Sequence, residues 1–199
     1  GETVLFKEKP AVVGKLSRKH VYLTDDWANT VLFVNSEYRI ENVHTRYDIF
    51  LGQIEAKFKG NIKVINLANV DSFKIMLKGQ VVETYKNCKH FEVDTFLNGF
   101  FKVLAKGKIT VLEKPVVRIV EPDYNVALDA GRKEKKVLKR EAHYVVKNGQ
   151  LTELPNGNRL RKKIFGKDDK IKSYIKQNRL RLRKMEDFLV AVAYYNGMQ

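Results

Sequence analysis

Between residues 20 and 120 the chain repeats one texture: short β-branched and aromatic runs, spaced near ten residues, with turn residues between them. No helix-length segment separates the runs, and a parallel pair needs a crossover of a dozen or more residues, so a parallel α/β fold is hard to build. Ten strands are expected, at 30–34, 38–43, 45–50, 53–58, 62–66, 72–77, 81–85, 100–105, 108–113 and 116–120. Asn35-Ser36, Leu51-Gly52, Lys59-Gly60-Asn61, Lys78-Gly79 and Lys106-Gly107 supply residues that make tight turns or tolerate positive φ. Residues 53–58 alternate polar and apolar, as in a sheet with one wet face. The expected class is mainly β with α, an antiparallel meander forming an open barrel or a sandwich.

The flanks differ. Residues 1–19 show no period and read as an arm, with a short strand at 4–6 or 11–13. The β-rich domain is expected to span 20–121, and 122–140 reads as a charged connector. Residues 141–199 then hold a hairpin, 142–146 and 150–154 about Asn148-Gly149, followed by basic short helices that form a lid or small second domain. Three apolar stripes mark those helices: Leu160 with Ile164; Ile171, Tyr174 and Ile175; and Met185, Phe188, Leu189, Val192 and Tyr195. Asp168 or Asp169 is the expected cap of the second, and Gly197 lies just past the third.

Charge separates the two parts further. The chain carries +15. Residues 1–131 hold 19 Lys/Arg against 16 Asp/Glu, net +3, and residues 132–199 hold 19 against 7, net +12. Across 159–184, twelve cations face only Asp168 and Asp169. Such a surface suits an acidic partner (nucleic acid, anionic lipid or polyanionic glycan), although helices packed on a sheet also need a wet lysine face. Within it, Arg179-Leu180-Arg181-Leu182-Arg183 alternates, so an extended chain would aim Arg179, Arg181 and Arg183 one way and both leucines the other. These three arginines are the candidate anion-binding residues. Tyr22, Trp27 and Tyr47 are the candidate aromatic platform for a ligand.

Catalytic and metal signatures do not assemble. There is no phosphate-binding glycine loop, HExxH, GxSxG or CxxC. Cys88 and His90 could offer two metal ligands where a structural site wants four, so no metal or cofactor is assigned. Asp25-Asp26 reads as turn-capping rather than as an acid pair, and no partner residue gives it the spacing of a hydrolase. A single cysteine precludes an intrachain disulfide and fits cytosol and periplasm alike. No window reaches the ~18 apolar residues of a spanning helix, and a chain starting at Gly1 without Met fits a trimmed or cleaved chain that has lost an export signal.

Several motifs are similar to a known family. Val21-Tyr22-Leu23 ending at Trp27, then Arg46-Tyr47-Asp48-Ile49 and Gln53-Ile54-Glu55, resemble the opening of a family of uncharacterised exported proteins of gram-negative bacteria. Gly99-Phe100-Phe101-Lys102-Val103-Leu104 with Gly107 and Leu112 looks like its later strands, as does His143-Tyr144-Val145-Val146 with Gly149. The tail matches best, in residues 171–178, Leu180, Leu182, Asp187-Phe188-Leu189 and Tyr194-Tyr195-Asn196. The resemblance spans roughly residues 20–199 and implies a protein made with an export signal and working in the periplasm or at the cell surface. It implies no activity. The expected function is thus an exported, non-enzymatic binding or structural protein acting on another protein or a cell-envelope component. The alternative is an anion-binding module using the cationic C-terminal segment, with nucleic acid disfavoured as partner by export.

Overall fold

The computed structural model describes residues 6–7, 21–91 and 97–198. Of the N-terminal arm, Phe6–Lys7 forms β1, and the strand expected at 11–13 lies outside the described residues. The other strands are β2 (Ala28–Val34), β3 (Tyr38–Asp48), β4 (Gln53–Phe58), β5 (Asn61–Ile65), β6 (Val70–Leu77), β7 (Gln80–Asn87), β8 (Phe100–Ala105), β9 (Ile109–Val120), β10 (Lys136–Lys147) and β11 (Gln150–Glu153). Three short helices follow, α1 (Asn158–Ile164), α2 (Asp169–Gln177) and α3 (Met185–Gly197). The protein is mainly β with a helical C-terminus.

Hydrogen-bonded neighbours run β1-β5-β4-β3-β2-β6-β7-β8-β9-β10-β11. β2 to β5 form a meander, but β6 pairs with β2 rather than with β5, whose outer edge is held by β1. The Asn87 amide fixes this return by donating to the carbonyls of Leu67 and Val70. Three hairpins close with two-residue turns in which both residues have positive φ: Lys59-Gly60, Lys78-Gly79 and Asn148-Gly149. That geometry matches the right-handed twist of the flanking strands.

Two pairs of expected strands are single strands. Residues 38–43 and 45–50 merge into β3, where Asn42 adopts φ 56° and the register on β2 steps from Thr30↔Val43 to Leu32↔Ile40. The break in pattern is thus a bulge, not a turn. Residues 108–113 and 116–120 merge into β9 through Pro115, which lies beyond the last β8 pairing, Lys102↔Glu113, so its missing N–H removes no bond of that ladder. Part of the stretch read as connector is also strand, since Lys136 to Arg140 open β10.

The chain divides into two compact units, one of Gly1–His90, Asn98–Phe101 and Pro115–Glu141, the other of Phe91–Leu97, Lys102–Lys114 and Ala142–Gln199. The first is cored by Leu32, Tyr47, Ile54, Ile65, Phe73, Tyr85 and Phe100. Phe73 stacks on Tyr85 at 4.6 Å, and Phe100 meets Phe73 and Tyr47 edge-on at 5.0 and 5.5 Å. Tyr47 on β3 and Phe100 on β8 are four strands apart in the order, roughly 19 Å in a flat sheet at ~4.8 Å per strand. Their ring contact requires the sheet of this unit to curl over its own aromatic core.

In the second unit, α2 and α3 bury Ile171, Ile175, Phe188, Ala191 and Val192 with Ile109 and Val111 of β9 and Val145 of β10. Asn196 ties α3 to β9: its side chain accepts from Ile109 N at 2.8 Å and donates to Ile109 O at 2.8 Å. Gly107 lies so close that a Cβ there would stand 2.5 Å from Asn196 Cγ.

Candidate functional site

The aromatic trio comes first, because strand alternation decides its arrangement. Residues 21–23 run beside the end of β3, with Leu23 N donating to Tyr47 O and Ile49 N to Val21 O. Successive side chains on β3 point to opposite faces, so Arg46 and Tyr47 diverge. Tyr47 enters the aromatic core. Arg46 lies on the other face, its guanidinium 4.0 Å from the Tyr22 ring and 4.5 Å from the Trp27 ring. It pairs with Glu55 at 2.6 Å and donates to Tyr22 Oη at 3.2 Å, while the Tyr22 hydroxyl donates to Glu55 at 3.3 Å. Lys57 adds a second cation 4.8 Å from Trp27.

The structure therefore brings Tyr22 and Trp27 together around Arg46 and places Tyr47 elsewhere. A face of each of these two rings is covered by the chain's own cation. Burial, reinforced by Glu55, raises the Tyr22 phenol above its ordinary value, and burial raises that of Tyr47 strongly. Cys88 and His90 also part company: Cys88 Sγ contacts Asn98 O at 3.6 Å, and the His90 ring bonds Asp71 at 3.0 Å. Asp25 and Asp26 are exposed, and Thr24 closes their turn by donating to Asp26 O.

The helical unit handles its cations differently. Leu160, expected in the core, is exposed, and the buried residue of α1 is Arg161. Its guanidinium donates to Pro155 O at 2.9 Å, Leu182 O at 2.9 Å and Arg183 O at 3.1 Å, and stands 5.5 Å from the Phe188 ring. Burial lowers its pKa, and its partners are backbone carbonyls rather than a carboxylate. One of the twelve cations of the tail is therefore a structural clamp on the loop that carries the arginine row.

That loop is a turn rather than an extended strand. α2 starts at Asp168, whose side chain accepts from Lys170 N and Ile171 N, and ends at Asn178. Beyond it, Leu180 N donates to Ile175 O and Arg179 N to Lys176 O, the paired bonds of a Schellman ending. Such an ending puts a left-handed residue just past the cap, usually glycine, and here Arg179 fills it at φ 51°. Lys184 N then closes on Arg181 O. Leu182 is buried and Leu180 half-buried, while Arg179, Arg181 and Arg183 are exposed. Arg181 and Arg183 are fixed through their backbone, donating to Asp187 and to Asn158.

Lys162 of α1, Lys172 and Lys176 of α2, and Arg179 line one open depression of about 460 Å³, floored by Ile175 and Leu180. Lys172 is partly engaged, bonding Asp169 at 2.8 Å and lowering the pKa of that carboxyl. Among the described residues, no carboxylate lies within ion-pair distance of Lys162, Lys176 or Arg179. The candidate row is thus redrawn in space: Arg179 joins three lysines, whereas Arg181 and Arg183 do not line the depression. Sequence pattern alone misses this, because Lys162 and Arg179 are neighbours only through the fold. The one sequence signal was a helix end at Asn178 with no glycine after it.

Comparison with known proteins finds no matching family model, curated protein or solved structure.

Proposed function

We propose that this chain is an exported, non-enzymatic binding protein whose helical unit engages an acidic polymer of the cell envelope, a polyanionic glycan. The observation that carries the reading is the depression at the end of α2, where Lys162, Lys176 and Arg179 converge without a carboxylate partner beside the half-satisfied Lys172. Like charges gathered this way repel one another, and an anion spanning them would relieve that repulsion. Arg179 takes the left-handed position that ends α2, at a cost of about 1–2 kcal/mol that glycine would avoid.

Export follows the resemblance in the sequence, and it favours a surface glycan over nucleic acid. The β-rich unit serves in this reading as scaffold, its strands curled as an open barrel around Tyr47, Phe73 and Phe100; the ring contact across four strands supports that form. The test is titration of the protein with a sulfated polysaccharide at increasing salt. Binding should weaken steeply as salt screens the contacts, and the Lys162→Glu, Lys176→Glu, Arg179→Glu variant should lose it. Salt-insensitive binding, or equal loss in a Lys57→Glu, Lys74→Glu variant of the β-rich unit, overturns the reading.

A further inference from the structure

β9 and β10 are neighbours in the sheet, and Ile109 and Val111 of one share a buried core with Val145 of the other. Strand alternation continues that same face through Glu113 on β9 and through His143 and Glu141 on β10. The apolar line ends at these residues: Glu113 and His143 are half-buried, and Glu141 is exposed. A face that begins as packed hydrocarbon thus finishes in one imidazole and two carboxylates.

Both carboxylates converge on the ring. His143 Nε2 stands 3.1 Å from Glu113 Oε2. Glu141, two residues earlier on the same strand as His143, offers a carboxylate oxygen within 4.8 Å of the imidazole. Lys102 on β8 lies opposite Glu113 in the β8–β9 register. Glu141, by contrast, has no lysine or arginine within ion-pair distance among the described residues. The chain carries +15, so cations are plentiful, yet here two like charges meet at a single imidazole.

We propose that Glu113, Glu141 and His143 form a binding site for a divalent transition metal of the zinc type. One imidazole nitrogen and two carboxylate oxygens make three protein ligands, with water left to complete the coordination. Zinc bonds to such atoms are about 2.0–2.2 Å long, so tetrahedral ligands stand about 3.3–3.5 Å apart. The His143–Glu113 separation of 3.1 Å therefore needs little adjustment, and an exposed Glu141 can swing in to close the set. The imidazole favours zinc over magnesium or calcium, which prefer oxygen alone. Because the ligands come from two neighbouring strands, the ion would pin β9 to β10. The competing account is a plain ion pair, which uses Glu113 and His143 and leaves Glu141 idle. This inference is independent of the glycan reading, since the two share no residue.

The test is calorimetric titration of the full chain, first stripped with chelator, using zinc, magnesium and calcium in turn. One zinc should bind, with magnesium and calcium at least about tenfold weaker. His143→Ala should lose the zinc, and Glu141→Gln should weaken it by about tenfold or more. Glu141 is exposed, so that variant should keep the melting temperature of the metal-free wild type; zinc should then raise the melt of wild type more than that of the variant. Zinc binding that Glu141→Gln leaves unchanged reduces the cluster to an ion pair and overturns the proposal. Absence of zinc binding overturns it too. So does binding that His90→Ala abolishes and His143→Ala leaves intact, which would assign the ion to the Asp71–His90 pair.

Discussion

Two arginines, Arg46 and Arg161, are taken out of water by different means, and the difference separates the two units. Arg46 is neutralised where it lies, by Glu55 at 2.6 Å and by the faces of Tyr22 and Trp27. Arg161 meets no acid; three carbonyls hold it, and its charge is never cancelled. The first arrangement is nearly closed on itself, with Arg46 Nε left buried without a hydrogen-bond partner, and it covers a face of each of two rings read as a ligand platform. The second shapes a loop whose neighbouring cations stay open. A charged group consumed by the fold leaves little for a partner, while one spent on loop geometry leaves its neighbours' charge in place.

The largest expected effects break each clamp in turn. Arg46→Met removes the ion-pair partner of the Glu55 carboxylate, whose side chain is 5% exposed, and should cost about 3 kcal/mol at neutral pH. That penalty should shrink in acid, where a carboxylate that has lost its cation can take a proton. Arg161→Met leaves carbonyls unsatisfied and should cost about 2–3 kcal/mol, with no such relief, because carbonyls do not titrate. Urea unfolding at neutral and acid pH checks both. Equal pH profiles would dissolve the distinction.

Alkali should act on the aromatic side of the comparison. Tyr22 and Tyr47 have phenols raised above the unfolded value of about 10, so the unfolded chain releases protons that the fold retains. Their contribution to stability is complete below pH ~10 and is lost as pH rises beyond it, for Tyr47 at up to about 1.4 kcal/mol per pH unit. Ultraviolet titration should show Tyr22 ionising at higher pH than the exposed tyrosines and Tyr47 ionising only with unfolding. Full titration of every tyrosine in folded protein would contradict the burial.

Arg179→Gly probes the helical side and has the smallest effect on stability, in the unusual direction. Removing the left-handed strain should raise stability by up to about 1 kcal/mol while weakening polyanion binding. Denaturation together with a binding titration reads both. A variant that is destabilised, or that binds as well as wild type, removes Arg179 from the site.

Much of this fold was legible because its local rules agree. The Lys-Gly and Asn-Gly pairs set the turns, and Asp168 set the start of α2. The failures also have local causes. The bulge at Asn42 and the proline within β9 interrupt a pattern without ending a strand. The Leu160–Ile164 spacing is helical, but so is Arg161–Phe165 one residue on, and only tertiary carbonyls decide which face turns inward. The adjacency of Arg46 and Tyr47 already implied that these two side chains point to opposite faces, but only the fold puts Tyr22 and Trp27 with Arg46.

The most direct test of the contrast between the units is lysine acetylation footprinting of the full chain, with and without sulfated polysaccharide, read residue by residue. Lys162 and Lys176 should be protected by the polymer, and Lys57 and Lys74 should modify at the same rate in both samples. Protection centred on Lys57 and Lys74, with Lys162 and Lys176 unchanged, would contradict the account.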